Sequence, residues 1–151
     1  MCFVLYAGTT KPLSRRAWRK DAPDLSVQSL TDRDEAIRKH FSNPEVQYIG
    51  STSGCGCDFP HVTLHKGEWP FFEELERKDP ERNASDRRNR EALMGLLRES
   101  GEQAVEFYGV WDGDFIEAPK ALEDVSLERL LDSDFRFKEQ GFYRVSLKSD
   151  S

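Results

Sequence analysis

The first apolar run of the chain, residues 2–7, contains no polar position. Such a run marks a strand covered on both faces, and Gly8-Thr9-Thr10 closes it. Residues 8–30 carry little periodicity and hold Pro12, Pro23, Trp18 and a basic group (Arg15, Arg16, Arg19, Lys20); they predict an ordered loop with a short helical turn. Thr31 or Asp32 can cap a helix whose apolar side is Ala36, Ile37 and Phe41, ended by Ser42-Asn43-Pro44. Val46–Gly50 and Val62–Leu64 read as strands, and Trp69, Phe71, Phe72 and Leu75 as a short helix docked on the core. From Asn83 or Ser85 to about Ser100, Ala92, Leu93, Leu96 and Leu97 recur at helical spacing, and Gly101 supplies the stop. Two strands, Ala104–Trp111 and Phe115–Ala118, flank Asp112-Gly113, a hairpin signal. Ser126 caps a short helix through Leu131. Phe135–Phe137 and Phe142–Leu147 then predict a second hairpin around Gln140-Gly141.

Helices and strands interleave early and hairpins dominate late. The expected fold is therefore α+β: a single domain over residues 1–151, with a mixed but largely antiparallel sheet, a few packed helices and a polar tail from about residue 148. The length suits one ordinary core, and an aromatic share of 11% argues for a packed globule although 33% of residues are charged. A net charge of −6 argues against nucleic acid or an anionic membrane as partner, and leaves a small ligand or another protein. No apolar run approaches the roughly 18 residues of a membrane span. The N-terminal run lacks the basic flank of a signal peptide, so a soluble, cytoplasmic protein is expected. In a reducing compartment three cysteines do not suggest a disulfide framework.

Reactive side chains concentrate in one place. After the strand at Val46–Gly50 comes Ser51-Thr52-Ser53-Gly54-Cys55-Gly56-Cys57, with His61 and His65 shortly behind. Cys55, Cys57 and His61 offer two sulfurs and an imidazole, a donor set suited to zinc. A single residue separates the cysteines, where structural zinc sites place two to four. On a strand His61 and His65 would stand about 13 Å apart at roughly 3.3 Å per residue, so one ion cannot take both. A second chemistry uses the glycines. Backbone N–H groups of Ser51, Thr52, Ser53, Gly54 and Gly56 can form an anion-binding concavity that activates a thiol, with His61 or His40 as base. The third reading is a purely structural turn in a non-catalytic interaction module. The working expectation is a metal- or small-ligand-binding protein centred on Cys55, Cys57 and His61.

Two short stretches resemble known families. Tyr48-Ile49-Gly50-Ser51-Thr52 is similar to the second half-motif of GIY-YIG nucleases, which implies a metal-assisted nuclease; the nearest first half-motif, Leu5-Tyr6-Ala7, lies about forty residues upstream, and the Gly-Cys turn replaces the family's arginine. Met1-Cys2 resembles the start of class II glutamine amidotransferases, which implies a hydrolase with Cys2 as N-terminal nucleophile; Phe3-Val4-Leu5 replaces the family's glycine-containing opening. Elsewhere, Arg82, Arg87, Arg88 and Arg90 alternate with Asp79, Glu81, Asp86 and Glu91, the pattern of a solvated helix face. Glu106, Asp112, Asp114 and Glu117 crowd the first late hairpin, but strand alternation separates them and no catalytic pair is expected. Trp18, Trp69 and Trp111 read as core or core-edge residues.

Overall fold

The molecule is built around β1 (Phe3–Thr9), all seven residues of which are buried. Its odd positions, Phe3, Leu5 and Ala7, enter one apolar cluster and its even positions, Val4 and Tyr6, another on the opposite face. That is what an apolar run without alternation should produce. A computed structural model describes residues 3–17, 19–21, 24–52, 59, 61–62, 80–132 and 135–147.

In chain order β2 (Ser26–Ser29), a 3-10 helix (Glu35–His40) and β3 (Glu45–Gly50) follow β1. Next come β4 (His61–Val62), the helix α1 (Pro80–Ser100), β5 (Ala104–Trp111), β6 (Ala121–Ser126), a second 3-10 helix (Glu128–Leu131), β7 (Phe137–Lys138) and β8 (Gly141–Ser146). Six strands make one sheet in the order β2-β3-β1-β5-β8-β6, antiparallel except for β6 beside β8; β4 and β7 form a separate parallel pair. The fold is α+β with a mixed, largely antiparallel sheet, as expected. The short helix expected around Trp69–Leu75 lies outside the described residues, as does Trp18.

α1 covers one face. Its Leu93, Met94, Leu96 and Leu97 pack with Phe3, Leu5, Val105, Phe107, Tyr143 and Val145. Among the described residues the other face is covered without an α-helix, by Ile37 and Phe41 from the first 3-10 region and by Phe115. The helix expected from residue 31 or 32 is thus reduced to a 3-10 segment. Asp34 Oδ1 accepts the Thr31 N–H at 2.7 Å and its hydroxyl at 3.2 Å, which holds Thr31–Asp34 as a turn. Only Ile37 of the following segment is buried, too little apolar surface to sustain longer α-helix.

Three other expectations fail for identifiable reasons. The loop 8–30 contains β2, whose polar Ser26 and Gln28 mask a strand with only Val27 apolar and buried. Phe115–Ala118 is not a strand. Consecutive turns (Asp114 N–H to the Trp111 carbonyl, 2.9 Å; Glu117 N–H to the Asp114 carbonyl, 3.2 Å) fold Phe115 under the sheet, and the Tyr108 hydroxyl donates to the Glu117 carbonyl at 2.5 Å. The strand that comes after it is β6, an edge strand with Leu122 exposed. Finally, Gln140-Gly141 does form a turn, with Gln140 at φ 58°, but no hairpin. β7 pairs with β4 and β8 with β5, so the two strands belong to different sheets. Among the described residues no helix is long and apolar enough to cross a membrane.

Candidate functional site

One stripe of α1 changes chemistry along its length. Leu97, Met94 and Leu93 are buried in the apolar core, and continuing the same helical spacing toward the N-terminus brings Arg90, Asn89 and Asp86, which are buried as well. These three are expensive residues to bury, and each must be matched by a polar partner. Asn89 is fully buried; its Oδ1 accepts the backbone N–H of Thr52 at 2.8 Å and its amide donates to the Ser85 carbonyl at 2.9 Å. Arg90 donates to the Phe135 carbonyl at 2.8 Å, and Arg136 donates to the same oxygen at 2.9 Å. Arg136 also stands 3.8 Å from the Asp86 carboxylate, both side chains buried. Two guanidinium groups and one carboxylate are therefore buried together.

Sheet register sets where that turn starts. Ile49 lies opposite Leu5, so β3 leaves the sheet at Ser51, beside the beginning of β1. Ser51 and Thr52 are buried there. At the same end the His61 ring stacks on Phe3, with centroids 4.4 Å apart and planes within 2°. Phe3 in turn lies flat over Gly109 of β5, where a β-carbon would overlap its ring. The chain before the turn and the chain after it, at Ser51 and His61, are thus both fixed to one end of the sheet.

His61 is oriented as well as placed. Its Nδ1 is 2.7 Å from the Phe59 carbonyl, and since a carbonyl can only accept, Nδ1 carries the proton. In the neutral ring the lone pair then belongs to Nε2, the arrangement that suits a metal ligand or a general base. β4 adds a second restraint by pairing His61 with Phe137 of β7. Close by, burial pushes the Tyr143 phenol up, and its oxygen accepts the Lys138 N–H at 2.8 Å.

The structure brings together Ser51, Thr52 and His61 of the predicted site. Ser53, Gly54, Cys55, Gly56 and Cys57 lie outside the described residues, as do Cys2 and His65. Among the described residues no group of three or more His, Cys, Asp or Glu side chains is placed to hold a metal ion. One part of the anion-concavity idea is corrected: the Thr52 N–H is already committed to Asn89. His40 is not a base for the turn, because its Nε2 donates to the Phe115 carbonyl at 2.9 Å on the opposite face of the sheet. Asp86 and Arg90 are not part of a solvated face, although Arg87, Arg88 and Glu91 are exposed as expected. The available signal was the apolar stripe of α1 itself, which runs into those two residues when extended by one turn. Glu106 and Asp112 have different partners: Glu106 accepts from Ser42 and Asn43, and Asp112 pairs with Arg33 at 2.6 Å. No family profile, curated protein or solved structure matches the chain.

Proposed function

We propose that the protein is a small metal-binding protein in which His61 Nε2 and the thiolates of Cys55 and Cys57 hold a zinc-like ion, with an exogenous ligand or water completing a tetrahedral shell. The observation that carries this reading is the hydrogen bond from His61 Nδ1 to the Phe59 carbonyl at 2.7 Å. A carbonyl or carboxylate partner on the second ring nitrogen is the usual companion of a ligating histidine, because it fixes the tautomer and raises the basicity of the first nitrogen. The flat stack on Phe3 favours the same ring orientation.

A further feature supports it. Cys55 and Cys57 lie in sequence between two anchored points, Thr52 held by Asn89 and His61 stacked on Phe3. Three protein donors and one open position form the coordination pattern of a reactive or ligand-exchanging zinc site rather than a closed structural one.

The test is a zinc titration of the reduced protein against a chromophoric chelator, beside a Cys55→Ser, Cys57→Ser double variant and a His61→Ala variant. One zinc per chain is expected, with affinity lowered at least about a hundredfold in the double variant and about tenfold or more in His61→Ala. Zinc affinity unchanged in the double variant would end the proposal.

A further inference from the structure

At the other end of the sheet a cleft of about 590 Å³ opens between the chain after β1, the loop before β3 and the connection from α1 to β5. Its size suits a small molecule. Its walls mix polar and apolar surface, and four of the lining residues are charged: Lys11, Arg144, Glu102 and Glu106.

Both carboxylates are held by hydrogen bonds, Glu106 inside the protein and Glu102 at the surface. Glu106, buried on β5, accepts the Ser42 hydroxyl at 2.6 Å, the Asn43 N–H at 2.8 Å and the Ser42 N–H at 3.2 Å. That set uses up most of the lone pairs a carboxylate has. Glu102 accepts the hydroxyl of Thr10 at 2.6 Å on one oxygen and the Thr10 backbone N–H on the other. The cations are different. Among the described residues neither Lys11 nor Arg144 makes an ion pair, although Arg144 faces Glu106 and Asp124 in strand register. The cleft therefore holds two uncommitted cationic heads beside two carboxylates fixed in place, and its formal charge is balanced.

Balanced charge selects against a simple ion. A bare anion would gain Lys11 and Arg144 but meet the field of both carboxylates, and a bare cation would meet the reverse. A molecule carrying both signs gains on each side. The C-terminal end of α1, at Ser100 on the wall of the cleft, adds negative partial charge. We infer that this cleft binds a small zwitterion of the amino-acid class, its carboxylate on Arg144 and Lys11 and its ammonium toward Glu102 and the end of α1.

The inference is independent of the proposed metal site, whose described residues Ser51 and His61 lie toward the opposite end of β1, and it can be tested separately. Calorimetric titration of the intact protein with each standard amino acid, and with acetate and methylammonium as single-charge controls, reads it directly. At least one amino acid should saturate with a Kd of about 1 mM or tighter, while both controls bind at least about tenfold more weakly. Arg144→Gln and Lys11→Gln, both on exposed side chains and confirmed folded by circular dichroism, should each weaken that binding about tenfold or more. Overturning results are saturation by no amino acid, acetate binding as tightly as the amino acid, or affinity unchanged in both variants.

Discussion

At the scale of single residues the site depends on groups that carry no reactive chemistry. Asn89 is the clearest, since one side chain satisfies the buried N–H of Thr52 and thereby fixes where the Gly/Cys-rich turn begins. Replacing it by Ala would leave that N–H without an acceptor in a dry interior, at a cost of about 1–3 kcal/mol. Asn89→Ala should lower the urea midpoint accordingly and weaken zinc binding, because the loop loses one of its two anchors. A midpoint within about 0.5 kcal/mol of the parent would show that water reaches Thr52 and that the anchor is not needed. Gln140 is a second such residue. It sits at φ 58° with a buried side-chain oxygen that has no hydrogen-bond partner among the described residues. A left-handed non-glycine residue with an unmatched acceptor costs on the order of 1–3 kcal/mol. Gln140→Gly should therefore raise stability by about 1 kcal/mol in chemical denaturation; destabilisation instead would mean that the glutamine stem contributes more packing than the strain removes.

At the scale of elements, the sheet is clamped by side chains reaching across from loops. Glu106 of β5 binds the Ser42–Asn43 turn, and that turn also donates from the Asn43 amide to the Gly8 carbonyl at 3.0 Å. Glu106→Gln would place an amide donor against the N–H donors of Ser42 and Asn43. A loss of about 2–3 kcal/mol is expected, read as a lower urea midpoint with unchanged m-value, and a neutral result would mean that the turn is held mainly by Phe41 packing. Elements also show how much of this fold was legible beforehand. β1, β3 and β5 were readable as short, largely apolar runs buried on both faces, and α1 by its apolar residues at helical spacing. β6 was not, since an edge strand with Leu122 and three acidic or polar neighbours facing solvent has no apolar alternation. Phe115–Ala118 misled because Asp112-Gly113 is a genuine turn, with Gly113 at φ 107°, but the chain beyond it serves as a cover rather than a partner strand. For the candidate site, the placement of His61 against Phe3, at the end of the sheet where β3 stops, could not be read at all. It depends on β4 pairing with β7, more than seventy residues away, and pattern along a chain does not report such pairing.

At the scale of the whole molecule, burial of phenols links the fold to alkaline pH. Tyr6, Tyr108 and Tyr143 are all pushed above the ordinary tyrosine value, in each case mainly by burial; for Tyr6 the hydrogen bond to Asp34 at 2.8 Å adds to it. A group raised in the folded state binds its proton longer there than in the unfolded chain. Its contribution is complete below about pH 10, the unfolded value, and declines as pH rises beyond it. Stability should fall by up to about 1.4 kcal/mol per pH unit for each of the three phenols. Tyrosinate absorbance from them should appear together with loss of the far-ultraviolet dichroism of the sheet. Reversible ionisation of all four tyrosines near pH 10 with the fold intact would contradict their burial.

The two ends of the sheet carry different chemistry: the balanced cleft at one, and at the other the polar end of α1, the turn entry and an oriented His61. X-ray absorption at the zinc edge of the reduced, zinc-loaded protein tests the proposed metal site most directly, because it reads ligand type without requiring a substrate. The predicted shell contains two sulfurs at about 2.3 Å and one nitrogen at about 2.0–2.1 Å, and the nitrogen contribution disappears in His61→Ala. A shell of light atoms alone, or the same spectrum after Cys55 and Cys57 are both changed to Ser, would contradict it.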